Sequence, residues 1–222
     1  MSLEINQIYH IYNRGNNKGV IFFTEENYRF FLWKIRMHLL PFGDLICYSL
    51  MPNHYHLLFL LRELEISRTT YHEHLNDVEL LRRKKKYGPA ARPITTRAER
   101  RKAVSPTSGF LEALGTMQQT YAKAINHQQG NIGHLFGGTC HLKPGWEPED
   151  NALDLGSFFF GSPYLATCFH YIHNNFPSNR GFIQATDWEY SSAREYAGLR
   201  NGTLCNLSLG RAILGLEDFP DL

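Results

Sequence analysis

Three observations predict an α+β fold. Between residues 8 and 61 the apolar residues repeat first every second position, then at helical spacing, then every second position again. Two further helical patterns, at 109–127 and 163–174, occupy the second half of the chain. The 222 residues are 43% hydrophobic and 20% charged, as expected of one soluble globular domain spanning 1–222.

The elements can be justified in order. Residues 8–14 (IYHIYNR) are aromatic and β-branched and run into Gly15-Asn16-Asn17-Lys18-Gly19, a strand followed by a loop. Residues 25–40 place Tyr28, Phe31, Leu32, Ile35 and Leu39 on one helical stripe. Thr24 is the expected N-cap, Glu25 and Glu26 lie in the first turn, and Pro41 follows the end. Residues 44–50 form a second strand, Pro52-Asn53 a turn, and His54 to Leu61 a third strand. Residues 62–108 are polar and basic and contain Pro89, Pro93 and Pro106. They read as a basic insertion with a helix near 69–87. Phe110, Leu114, Met117 and Tyr121 mark the stripe of the next helix. Gly130 to Gly145 is glycine-rich and 146–157 acidic, both read as loops. Residues 163–174 look like a buried helix, and short helices are expected at 191–196 and 208–216.

Composition excludes several classes. No apolar run approaches the roughly 20 residues of a membrane span. The opening Met1-Ser2-Leu3-Glu4 lacks the features of a secretory signal, and Cys47, Cys140, Cys168 and Cys205 form no metal or disulfide framework. A cytoplasmic location and no membrane partner are the resulting expectations. The net charge of +2 hides an asymmetry: residues 82–102 carry +9 and the remainder −7. Arg82, Arg83, Lys84, Lys85, Lys86, Arg100, Arg101 and Lys102 make this segment a candidate path for nucleic acid, or a solvated insertion with non-specific attraction.

The sharpest local feature is Pro52-Asn53-His54-Tyr55-His56. On a strand, residues i and i+2 share a face, so His54 and His56 present two imidazoles side by side, either as metal ligands or as inert sheet-face residues. Tyr71-His72-Glu73-His74 repeats the spacing in a helical stretch, where i and i+2 diverge, and reads as surface.

The order of blocks widens the picture. YHIYNRG, YSLMPNHYHLLFLL, TYAKAIN, GHLFGG, YLATCFHYIHNN and DWEYSS together resemble the single-tyrosine HUH transposases, in particular the REP-associated and related transposase-like proteins, over residues 8–61 and 109–206. Three departures bear on DNA contacts. Thr139 stands in the region where the family often has Arg, Pro177 is shifted by one residue, and the 62–108 segment is long.

The resemblance implies an antiparallel sheet with helices packed on one face, on a ferredoxin-like or RRM-like plan. It implies metal-dependent cleavage and strand transfer of single-stranded DNA through a covalent 5′-phosphotyrosine, with single-stranded or hairpin DNA as partner, acting as monomer or homodimer. Carried over, Tyr121 is the nucleophile (its other reading is a core aromatic) and His54 and His56 hold Mg²⁺ or Mn²⁺. These ions require an added oxygen donor. Four residues after Tyr121 stands Ile125, which cannot ligate, so Asn126 is the candidate, or else a helix-terminating residue. Arg14 is expected at a backbone phosphate or in a surface ion pair. Two other classes remain open: a domesticated, non-catalytic binder of single-stranded or hairpin DNA, and a metal-dependent hydrolase without a covalent step.

Overall fold

The computed structural model describes residues 2–92, 105–145, 163–177 and 181–216. Its centre is a four-stranded antiparallel sheet in the order β2-β3-β1-β6, with β1 at Ile8–Arg14, β2 at Gly43–Met51, β3 at His54–Leu61 and β6 at His141–Pro144. The six helices among the described residues are α1 (Glu25–His38), α2 (Arg68–Tyr87), α3 (Phe110–Gln129), α4 (Pro163–His173), α5 (Ala193–Tyr196) and α6 (Leu207–Leu214). Two short strands, β4 (Glu65–Ser67) and β5 (Thr107–Gly109), pair with each other and bring the ends of the basic insertion together. Phe110 starts α3 directly after β5.

The cap at Thr24 forms as expected, with Asn27 in the position usually held by Glu or Gln. Asn27 Oδ1 accepts from Phe23 N–H (3.0 Å) and Thr24 N–H (3.2 Å). Ser67 caps α2 by accepting from Thr70 N–H at 3.1 Å. Gly130, at φ 66°, closes α3 in the left-handed region that favours glycine.

The sequence of β3 follows from what covers it. Tyr55, Leu57, Phe59 and Leu61 point to one face and pack with α1, α2 and α3. Leu58 and Leu60 point to the other, together with Ile8 and Cys47, and pack under Leu165, Cys168, Phe169 and Ile172 of α4 and Ile213 of α6. A strand buried on both faces reads as a continuous apolar run, which is LLFLL. The helical cover on the second face ends near the start of the strand, so His54 and His56 lie at its edge and alternate with buried Tyr55.

The α+β sheet and its helical layer are those expected, and the opposite face carries helices as well. β6 was hidden in the glycine-rich stretch. It has four residues, ends in a proline and pairs on one side only, so its sequence carries no clear alternation. Among the described residues no helix is long and apolar enough to cross a membrane.

Candidate functional site

The strand register sorts the second face into rows. Met51, His54 and Arg14 lie side by side. Ser49, His56, Tyr12 and His141 form the next row, and Cys47, Leu58, His10 and Lys143 the one after. The third row is where α4 and the apolar cover begin. Histidines 10, 54, 56 and 141 therefore gather at the edge of that cover, contributed by three strands.

His56 is buried, and its Nδ1 lies 2.8 Å from His10 Nε2. Burial pushes His56 down to about 3, with His10 and His54 adding to the effect, and pushes His10 down to about 4, with Lys143 adding. Both rings are neutral at pH 7, the form that ligates metals. When His56 donates from Nδ1 to His10, its Nε2 lone pair is left for a ligand, and His10 orients the ring from behind. His54 is also held below its ordinary value, first by burial and also by Arg14, while the contact with Asn175 acts the other way. Its Nδ1 lies 2.7 Å from Asn53 Oδ1 and its Nε2 3.3 Å from Asn175 Oδ1. A neutral imidazole has one N–H for these two oxygens. With Nδ1 donating to Asn53, the Nε2 lone pair and the Asn175 oxygen face one another, an arrangement that a cation stabilises.

Asn175 is held there by its own backbone. Its carbonyl accepts from Ser49 Oγ at 2.7 Å, which ties the loop after α4 to the row of His56. His54 and His56, with ring centroids 5.1 Å apart, and the Asn175 amide oxygen beside His54 are the residues that could hold a divalent ion. Among the described residues no group of three or more His, Cys, Asp and Glu side chains is arranged for a metal.

The tyrosine at this site is Tyr171. α4 starts at Pro163 and lays Leu165, Cys168, Phe169 and Ile172 on the sheet at helical spacing. Tyr171 leaves that stripe at the rim of the cover. Its ring stands edge-on to His56 with centroids 5.4 Å apart, and 6.2 Å from His10, and the residue is 53% exposed.

Tyr121 lies elsewhere. It is fully buried in the core of the other face, wedged against Phe22, Phe30 and Phe31, and its hydroxyl donates to the Ile21 carbonyl at 2.8 Å. The sheet stands between it and the imidazoles, and burial raises its phenol well above the ordinary value. The nucleophile expectation is corrected on this ground: the Tyr121 side chain is a core aromatic. Asn126 shares α3 with it. Its amide donates to Gly133 O at 2.8 Å and fastens the loop after the helix, so it is a loop anchor and not the third donor. Gln118 ties α3 to β1 by accepting from Asn13 Nδ2 at 2.7 Å.

Arg14 is exposed beside His54 and forms no ion pair among the described residues. The cations at the end of α2 lie with the helical layer, on the Tyr121 side. Arg82 grips Glu79 through two bonds (2.9 and 2.8 Å), and Arg83 and Lys86 lean on the Tyr87 ring. Lys84 and Lys85 share that helix end, whereas Arg100, Arg101 and Lys102 lie outside the described residues. The α2 cations therefore lie on the opposite side of the sheet from the imidazoles. His173 is buried and bonded to Ser192 Oγ at 2.8 Å, as a core histidine should be. His170 is exposed.

Sequence reasoning missed Tyr171, His10 and Asn175. The available signal was the YIHNN block itself, where Tyr171 and Asn175 stand four residues apart at the end of a helix, and the His10 of the opening YHIYNRG strand.

No family model matches this chain, and no curated protein matches it. Among solved structures, one of a REP-associated tyrosine transposase bound to a REP hairpin aligns over 95% of this chain and 94% of its own, at 12% identity and a TM-score of 0.48.

Proposed function

We propose that this chain is a metal-dependent endonuclease and strand transferase of single-stranded DNA, with Tyr171 as nucleophile and His54, His56 and Asn175 as the metal-binding set. The observation that supports it is the exposed Tyr171 ring set edge-on to buried, neutral His56 on one face of the sheet. The quoted block order supports the reaction class alone, since the resemblance implies Tyr121 and not the tyrosine of the YIHNN block as the nucleophile.

A bound Mg²⁺ or Mn²⁺ would neutralise the non-bridging oxygens of a phosphodiester. The protein's part is positional. His10 and Asn53 orient the two ligating rings, and Ser49 holds Asn175. Tyr171 brings its hydroxyl to the rim of the covered zone, where a chain of nucleotides has access. In the reaction the Tyr171 oxygen forms a bond to phosphorus as the bond from phosphorus to the 3′-oxygen breaks. The phenolic proton is lost and the departing 3′-oxygen gains one, leaving a free 3′-hydroxyl and a 5′-phosphotyrosine. The phosphodiester count is conserved, so attack by another 3′-hydroxyl reverses the step without a nucleoside triphosphate.

A second reading has one observation in its favour: the third donor is an amide and not a carboxylate. A non-catalytic binder of single-stranded or hairpin DNA on the same face needs no third donor. The test is incubation of the full chain with end-labelled hairpin-bearing single-stranded DNA and Mn²⁺ or Mg²⁺, followed by denaturing gel electrophoresis. A covalent adduct that Tyr171→Phe abolishes is expected. Cleavage that persists without an adduct selects the hydrolase, and binding without cleavage under both metals selects the binder.

A further inference from the structure

The rows of the second face continue past the imidazoles to a part that the reaction does not use. Tyr12 stands between His56 and His141, with ring centroids at 5.6 and 4.8 Å, and is stacked on His141 at 14°. The row ends at His141, an exposed ring on β6, the edge strand of the sheet. Lys143 places its ammonium 5.9 Å from the centre of the Tyr12 ring. Arg14 flanks the row on its other side, next to His54. None of the residues of β1, β3, β6 and α4 is acidic, although the chain as a whole carries 21 acids. A ring half-buried on β1 and one exposed on the edge strand fill no core, and two cations with no carboxylate partner among the described residues attract a polyanion.

We infer that Tyr12, His141 and Lys143 form a subsite for an unpaired nucleotide of the DNA strand next to the cleaved phosphodiester. The base stacks on the outer end of the Tyr12–His141 pair, and Lys143 meets a neighbouring phosphate. Sequence-tolerant binding of a single strand uses this combination, aromatic faces for the bases and a cationic path for the backbone. The row also aligns with the chemistry: the same line of rings that receives the base leads through Tyr12 to His56, so a stacked nucleotide sets its own phosphate near the imidazoles. The subsite rests on the reading above in taking single-stranded DNA as the ligand and the imidazole row as the place of its cleavage.

The experiment uses the full chain and a hairpin-flanked single-stranded DNA carrying 2-aminopurine, in EDTA so that no cleavage occurs. Fluorescence quenching reports stacking and anisotropy reports affinity. Wild type is expected to quench the probe. His141→Ala and Tyr12→Leu should each weaken binding roughly tenfold and relieve the quenching, with Tyr12→Phe restoring both. Lys143→Gln should flatten the dependence of log affinity on log salt by about 0.7, the loss of one phosphate contact to a single strand. His141 is exposed, so its variant keeps the fold, and thermal melting confirms this for Tyr12→Leu. Wild-type quenching and affinity in His141→Ala and Tyr12→Leu, with an unchanged salt slope in Lys143→Gln, would overturn the subsite, while an adduct dependent on Tyr171 would still stand. Failure of the wild-type chain to bind any single-stranded DNA would overturn both.

Discussion

Tyr121 and Tyr171 are the same side chain, each on a helix packed against the same sheet, and they differ in everything that matters for chemistry. Tyr121 is fully buried, bonded to a backbone carbonyl and surrounded by phenylalanines, with its phenol raised well above the ordinary value. Tyr171 is 53% exposed and edge-on to His56. The difference teaches that a tyrosine's access to solvent and to the imidazoles is set by where its helix stops covering the sheet. α3 lies over the middle of its face, so its apolar stripe takes Tyr121 inward. α4 covers only part of the other face, and its rim is where a side chain can meet both solvent and the imidazoles.

The largest test of that contrast is an exchange of phenylalanine for each tyrosine. Tyr171→Phe should abolish the covalent adduct and leave stability within about 0.5 kcal/mol, as for a surface substitution. Tyr121→Phe should retain the adduct and lower stability by about 1 kcal/mol, the net value of a buried hydrogen bond. The reverse pattern, read by gel and by urea unfolding, would break the comparison. His56→Ala should reduce cleavage at least a hundredfold and abolish Mn²⁺ binding measured by calorimetry. Asn126→Ala should change neither by more than twofold, because its amide serves a loop on the other side of the sheet.

An acid titration probes both sides together. Burial pushes His38, in the helical layer, down to about 3, and does the same to His173, at the end of α4. Each is neutral in the folded chain and charges in the unfolded chain below about 6.5. The stability that they secure is complete above pH 6.5 and is lost as pH falls toward 3, by up to about 1.4 kcal/mol per pH unit for each ring. Urea midpoints between pH 7 and 4 should show this fall, and His38→Gln should make it shallower. The smallest effect is expected from Lys84→Gln, Lys85→Gln and Lys86→Gln combined. These cations lie on the Tyr121 side, so adduct yield at moderate salt should change less than twofold. A tenfold loss of affinity would put the DNA path on that side and break the contrast between the faces.

Much of the fold was legible because its elements carry their own signals. β3 and the stripes of α1 and α3 announce themselves by period, and Thr24 and Pro41 bracket α1. The His pair was legible because i and i+2 on a strand share a face whatever the tertiary structure. β6 was not, since an edge strand of four residues pairs through backbone groups that its sequence does not encode. Nor was the choice between tyrosines: Tyr121 and Tyr171 both sit in quoted motif blocks, and period alone does not say which helix lies on which face of the sheet.

By itself, then, the amino-acid sequence determined the order of β1, α1, β2, β3 and α3, the adjacency of His54 and His56, and the concentration of positive charge in one segment. These are local properties, set by backbone period and side-chain type. Only the tertiary structure decided that His10 backs His56, that Asn175 reaches His54 through a loop held by Ser49, and that Tyr171 and not Tyr121 shares their face. Those contacts join residues far apart in the chain, and they exist because a sheet has two faces whose helical covers end in different places.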